Sequence, residues 1–295
     1  MRIISSAPCR IGLFGGGTDT NPYAEKYGGV VINIAINLRQ KVILGDGSKL
    51  LEYDNPDFFK AFTFLPVKHE FENDIESGLG TSAALAVSLV GASRTGLSRS
   101  EIAEKAWKIE VSKLGLFGGK QDQYASVFGG MNLWKFSNVV KRIGIAKEKA
   151  EKLKKYILLF STGITRPNPK LQENLKVLTE KQKQALDIIK QIASDAYHRI
   201  YSEDYEGLGN LLNDSWRYKK MSNKVTNKKI NGIYDLAISS GTWGGKLCGS
   251  GGGGHMIFMA DSNNHEKIIY NLSKVGVENI PYKIDYDGLK VERIN

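Results

Sequence analysis

Residues 76–92, ESGLGTSAALAVSLVGA, are the stretch that decides the fold. Gly78 and Gly80 precede a Thr-Ser pair, and an unbroken run of small and apolar, helix-compatible residues follows. A glycine-rich turn entering a helix N-terminus leaves backbone N–H groups pointing outward, and the helix dipole adds partial positive charge there. A phosphate or another anion fits such a place. Glycine lets the backbone approach the ligand closely, and the hydroxyls of Thr81 and Ser82 can meet phosphate oxygens or a magnesium ion. Ser77, Gly78, Leu79, Gly80, Thr81, Ser82 and Ala83 are therefore candidate anion contacts. An ordinary helix start with a serine cap fits the same residues.

Two other glycine-rich stretches resemble nucleotide loops and fail on context. A P-loop needs Ser or Thr after its lysine, but Lys120 is followed by Gln121 and Lys246 by Leu247. Residues 249–254, GSGGGG, satisfy G-x-G-x-x-G, yet the strand-like HMIFMA follows where a dinucleotide site needs a helix. That block, with Gly252 and Gly253, reads instead as a backbone-lined wall of a ligand pocket or a tight turn between packed elements.

The chain has 295 residues, enough for one large or two ordinary domains with a sizeable core. Its 41% hydrophobic and 24% charged residues are those of a globular protein. No window reaches the ~18 apolar residues of a membrane span, and MRIISSAPCR lacks the apolar core of a secretory signal, so a cytoplasmic protein is expected. Two cysteines, Cys9 and Cys248, make neither a disulfide framework nor a zinc cluster. The net charge of +10 concentrates in residues 141–155 and 219–229. Neither run interleaves aromatics with its cations, as a single-strand nucleic-acid groove does. A solvated lysine-rich face is the expectation, some of its cations steering a phosphorylated ligand.

Strand patterns cover residues 2–7, 30–44, 131–136, 156–160, 255–260 and 280–284. Helical spacing covers 82–92, 99–114, 120–128, 174–201, 205–216, 230–239 and 264–275, with Ser98 placed to cap the second of these. The layout is α+β in two lobes, with a boundary near residues 155–165.

Three segments then line up in order: APCRIGLFGGGTDTN at 7–21, SGLGTSAA at 77–84 and GKLCGSGGGGHMIF at 245–258. Together they resemble the three motifs of the GHMP small-molecule kinases, over essentially the whole chain. GGGTD at 15–19, GGKQDQYASVFGGMN at 118–132, STGITR at 161–166 and LLNDSWRYKKMSNKVTN at 211–227 are similar to the branch that holds the heptose 7-phosphate kinases. The resemblance implies an N-terminal α/β lobe like ribosomal protein S5 (1–160) and a ferredoxin-like C-terminal lobe (161–295). It implies transfer of a phosphoryl group from ATP, with Mg2+, to the anomeric hydroxyl of a sugar phosphate. Asp122 matches the family's catalytic aspartate, Arg10 the cation beside it, and Ser82 and Glu110 the magnesium ligands. Asp19, with Gly16, Gly17 and Thr18, matches the loop that holds sugar hydroxyls; Lys120 and Arg166 are candidates for the substrate's own phosphate.

Plainer roles stay open for each: helix cap for Asp122, surface ion pair for Arg10, solvated helix residue for Glu110, turn aspartate for Asp19, surface cations for Lys120 and Arg166. The chain departs from the family in four places, one of them Pro167, which follows Arg166 where a small polar residue is expected. NDIESGLG leads into the second motif, the segment 53–77 is short, and Thr81 replaces a serine. The expected partners are ATP and a sugar or sugar phosphate, with a homodimer left open and neither nucleic acid nor membrane. A kinase for another sugar or a mevalonate-like alcohol is the rival within the family. A non-catalytic nucleotide- or nucleic-acid-binding protein is the rival outside it.

Overall fold

The structure is a computed structural model that describes residues 2–45, 60–63, 67–71, 78–116, 118–164, 178–222, 225–249 and 251–294. The expected sites Ser77 and Arg166 lie outside the described residues.

β1 (Arg2–Phe14) and β2 (Gly29–Gly45), joined through the short helix α1 (Tyr23–Tyr27), form a long antiparallel pair at the centre of the first sheet. The Ile- and Val-rich patterns predict both strands, and β1 runs further than expected, through Arg10 to Phe14. Pro8 has no N–H to give the ladder, and the register shifts between Pro8 and Cys9, as an interrupted strand requires. β4 (Met131–Phe136) pairs with the first half of β2, β3 (Val67–Phe71) with its second half, and β5 (Lys141–Gly144) with β4. β10 (Lys290–Ile294) pairs with β1 and closes the order β10-β1-β2-β4-β5.

Helices α2 (Thr81–Ser93), α3 (Arg99–Ser112) and α4 (Gln121–Phe128) cover one face of this sheet. Every residue of α2 from Ala86 to Ala92 is buried, and a helix that is apolar all round belongs inside a core. Ser98 caps α3 as its position predicts: its hydroxyl accepts from the Glu101 N–H, and the Glu101 carboxylate accepts from the Ser98 N–H at 2.8 Å.

The second sheet is antiparallel with order β7-β8-β6-β9, from β7 (Gly244–Leu247), β8 (His255–Met259), β6 (Ile157–Ser161) and the two-residue β9 (Glu278–Asn279). α6 (Glu180–Ser202) lies between the two sheets: Ile192, Ala193 and Ala196 share one core with Ile11 and Ile34 of the first sheet and Ile257 of the second. α7 (Tyr205–Ser222) packs along α6, while α8 (Lys228–Ser239) and α9 (His265–Ser273) cover the outer face of the second sheet.

Neither sheet is built from one continuous stretch. β6, which begins before residue 160, belongs to the second sheet, and β10 returns to the first. The alternating pattern at 280–284 is not a ladder strand. Tyr282 and Ile284 instead bury against the inter-sheet core as the chain crosses back, and Ile284 bridges Ile36. Arg39 clamps this crossing, pairing with Asp285 and donating to the carbonyls of Gly288 (2.7 Å) and Ser6 (2.8 Å).

The lysine-rich run 141–155 forms β5 and α5 (Lys147–Lys154). Leu153 anchors the helix in the core, while Lys149 and Lys152 pair with Glu203. Cys9 and Cys248 are free and buried. Among the described residues no helix is long and apolar enough to cross a membrane.

Candidate active site

α4 organises the site. Successive residues on a helix point about 100° apart, so Gln121, Asp122 and Gln123 at its first turn serve three different neighbours. Asp122 receives the Arg10 guanidinium in a two-bond fork, Nε to Oδ1 at 2.7 Å and Nη2 to Oδ2 at 2.6 Å. The third arm, Nη1, donates to the Gly78 carbonyl at 2.8 Å, and the Arg10 backbone N–H donates to Leu79 at 2.8 Å. One arginine thus ties the carboxylate to the glycine turn. A bidentate, charge-assisted pair is short and geometrically stiff. The Arg10 side chain is almost fully buried, while Asp122 keeps 25% of its side chain open to a ligand.

The glycine turn stands where the sequence places it. Gly80 has φ +72 and ends the turn as the N-cap of α2. A Cβ there would sit 3.4 Å from both the Arg10 guanidinium and the Asp122 Oδ2. The space would accept a methyl group, and it is the left-handed φ that favours glycine here. Ser82, on the first turn of α2, donates to Glu110 Oε1 at 2.7 Å, and Gln123 Nε2 donates to Glu110 Oε2 at 2.7 Å. Burial pushes the Glu110 carboxyl up to about 7, against the lowering effect of those two hydrogen bonds. A hydroxyl and a carboxylate side by side are hard oxygen donors, and they fit a magnesium ion that takes its remaining oxygens from phosphates and water. Among the described residues no cluster of three His, Cys, Asp or Glu side chains competes for a metal.

Asp19 forms the other wing. Its Oδ1 accepts from Gln121 Nε2 (2.9 Å) and the Gly17 N–H (3.3 Å), and its Oδ2 from the Gln121 N–H (3.1 Å). Burial, with the Asp122 charge adding, raises its carboxyl to about 6, and the N–H donors hold it back. Gly119 must lack a side chain, because a Cβ there would stand 1.9 Å from Asp19 Oδ2. Asp19 opens onto a cleft of about 340 Å3 with Asn21, Glu25, Glu104, Trp107 and Lys120 on its walls.

Several sequence expectations are redirected here. Thr18 lies fully buried, its hydroxyl donating to the Gly15 carbonyl at 2.7 Å and accepting from the Val30 N–H at 3.1 Å, so it braces the loop. Gly16 stands beside Gln121. Lys120 is a cleft residue with a counter-ion already: its ammonium donates to both Glu104 oxygens at 2.9 Å and lies 4.5 Å from the Trp107 ring centroid. Gly252 and Gly253 lie in a tightly packed turn. Gly252 N–H donates to Val225, and a Cβ on Gly253 would lie 2.3 Å from the Ile164 carbonyl. It is the other end of that block that reaches the glycine turn at Gly78, where a Cβ on Gly249 would lie 2.7 Å from Gly78 Cα.

Sequence reasoning singled out Asp122 and passed over its neighbours Gln121 and Gln123, although an acid flanked by two amides at a helix start was in view. It also passed over Asn33, whose Nδ2 donates to the Gln121 carbonyl at 3.2 Å while its Oδ1 accepts from buried Trp134 Nε1 at 2.9 Å.

A carboxylate held by arginine, a hydroxyl–carboxylate pair and a glycine turn at a helix start are the kinds of group that phosphoryl transfer uses. The comparisons agree. The sequence pattern of the GHMP kinase N-terminal domain matches residues 50–130, and that of the GHMP kinase C-terminal domain matches residues 189–278. The chain is 33% identical to the D-glycero-alpha-D-manno-heptose 7-phosphate kinase of Campylobacter jejuni, over 99% of each chain. A D-glycero-D-manno-heptose 1-phosphate kinase from Bacteroides thetaiotaomicron superposes with TM-score 0.78 at 25% identity, covering 99% of both chains. Lactococcus lactis galactokinase shares the fold alone, with TM-score 0.74, 17% identity and coverage of 99% and 95%. This chain belongs to the GHMP kinase family, whose members use ATP as phosphoryl donor.

Proposed function

We propose that the protein is a cytoplasmic kinase that transfers the γ-phosphoryl group of ATP to the anomeric hydroxyl of D-glycero-D-manno-heptose 7-phosphate, releasing ADP and the 1,7-bisphosphate. The observation that carries this reading is the 33% identity, end to end, with the Campylobacter jejuni heptose 7-phosphate kinase. The Arg10–Asp122 fork supplies the chemistry.

Asp122 keeps lone pairs free on both oxygens after accepting from Arg10. In this mechanism it accepts the proton of the sugar hydroxyl as that oxygen bonds to the γ-phosphorus and the bond to the ADP oxygen breaks. Arg10 orients the carboxylate and lies close enough to the Gly78 turn to offset charge moving onto the transferring group. Amides of the turn at residues 78–82 cradle the nucleotide phosphates. Ser82 and Glu110 would hold Mg2+, which draws charge from the phosphate oxygens when bound. Asp19 accepts hydrogen bonds from sugar hydroxyls at the mouth of the cleft.

The test is coupled ADP release with heptose 7-phosphate, heptose 1-phosphate, free hexoses and mevalonate as separate acceptors. Preferred turnover of heptose 7-phosphate is expected. Turnover of mevalonate alone would overturn the sugar assignment.

A further inference from the structure

Lys246 is a buried cation that the mechanism above does not use. It lies on β7 and is 5% exposed. Its neighbour Leu247 packs into the outer core of the second sheet, and Cys248, next but one, packs into the inter-sheet core. Alternation along a strand therefore turns Lys246 inward, toward the first sheet. No carboxylate or carbonyl among the described residues lies within bonding distance of its ammonium.

The charges that act on Lys246 make its place stranger. They are Lys219 of α7 and Arg10 of β1, both positive, and the Cys248 thiol on its own strand. His255, opposite Cys248 on β8, is buried as well. Burial first, then repulsion from Lys219, pushes the lysine down to about 7. An unpaired buried ammonium destabilises a fold, and an apolar side chain of the same length would serve packing better. Such a residue is explained by an anion that arrives from outside.

The surroundings say where the anion would go. The Cys248 carbonyl is 3.3 Å from a Cβ built on Gly78, and Gly249 packs directly on Gly78. Arg10 Nη1 donates to the Gly78 carbonyl at 2.8 Å, and Lys219 Nζ donates to the Gly249 carbonyl at 2.5 Å. Three cations from three elements thus converge where the two glycine turns touch. Arg10 already has its carboxylate partner in Asp122.

We propose that Lys246 is a phosphate-binding residue of the transfer site, its ammonium meeting a phosphate group seated at the Gly78–Gly249 junction with Lys219 as the second cation. The proposal rests on the kinase reading for its ligand. The phosphate belongs either to the nucleotide or to the sugar phosphate, and binding measurements on the two separate these sources.

The experiment compares full-length wild type with Lys246→Met, Lys246→Arg and Lys219→Met. It reads the melting temperature without ligand, and the calorimetric Kd for ADP and for heptose 7-phosphate. Lys246→Met is expected to melt at or above the wild-type temperature and to weaken one ligand at least tenfold. Lys246→Arg stays within threefold, and Lys219→Met weakens the same ligand at least threefold. A loss confined to ADP assigns the nucleotide's phosphate; a loss confined to heptose 7-phosphate assigns the sugar's. Should Lys246→Met fail to fold, the contrast between Lys246→Arg and Lys219→Met decides. Unchanged affinity for both ligands in Lys219→Met and in any folded Lys246→Met overturns the proposal. If wild type binds ADP but not heptose 7-phosphate, the sugar assignment has failed, and the ADP measurements still decide the role of Lys246.

Discussion

Arg10 and Asp122 stand 112 residues apart in sequence and meet through two hydrogen bonds of 2.7 and 2.6 Å, with the third arm of the same guanidinium on Gly78. This one guanidinium therefore ties the Asp122 carboxylate to the glycine turn. In Asp122→Asn, one arm of the fork faces an amide that cannot accept it, which costs about 1–3 kcal/mol of stability. Loss of the base should lower kcat at least ~100-fold, with ADP affinity within about threefold. Steady-state kinetics and calorimetry check this; wild-type turnover in the variant contradicts the assignment.

Glu110 sets a pH dependence. Its folded pKa of about 7 lies above the ordinary glutamate value of 4.5, chiefly because it is buried. The folded state therefore holds its proton more tightly than the unfolded state between those values. Stability of the ligand-free protein is lowest above pH 7 and is regained as the pH falls from 7 toward 4.5, by on the order of 3 kcal/mol. Glu110→Gln removes the charge while Ser82 and Gln123 can still bond to the amide. It should raise the melting temperature at pH 8 and flatten its slope with pH. Magnesium-dependent turnover, which needs the ionised carboxylate, should fall in the variant at all pH values and in wild type below pH 7. Parallel slopes in the two proteins would refute the burial argument.

Gly119 tests the Asp19 wing. A methyl group there would overlap Asp19 Oδ2 at 1.9 Å, so Gly119→Ala must displace the carboxylate or the loop. A tenfold or greater rise in KM for the sugar phosphate is expected, roughly 1.4 kcal/mol, with KM for ATP much less affected. Equal changes in the two KM values would indicate a general disturbance instead.

Asn33 links the core to the site. Asn33→Ala leaves Trp134 Nε1 and the Gln121 carbonyl without their partner, and unpaired buried groups cost about 1–3 kcal/mol each. Chemical denaturation should show a loss of about 2–4 kcal/mol. KM for the sugar phosphate should rise too, because Gln121 holds Asp19. Loss of stability with unchanged KM would separate the two roles.

Much of this architecture is legible in the amino-acid sequence. The strands β1 and β2 follow from Ile- and Val-rich alternation, and α3 from the Ser98 cap and the helical spacing after it, while the pairing of the two strands comes from the fold. Arg10, Ser82, Glu110 and Asp122 were picked out through their resemblance to family motifs, and the fold brings them together in pairs. The strands β5, β7 and β10 escaped notice because KRIG, GGKL and KVERI carry little apolar alternation; neighbours in the sheet, rather than local pattern, hold them. Lys120 looked like a cation ready for phosphate, and its pairing with Glu104 comes from an approach between α3 and the start of α4 that spacing does not reveal.

The sequence alone determined the local events: where a helix begins, where glycine permits a tight turn, and which side chains could bind a phosphate or take a proton. Those depend on residues close together in the chain. Tertiary structure alone decided which charges face one another. Asp122 has its arginine, Lys120 its glutamate and Lys246 no counter-ion among the described residues because strands and helices distant in sequence pack together, and burial then sets how strongly each charge is felt.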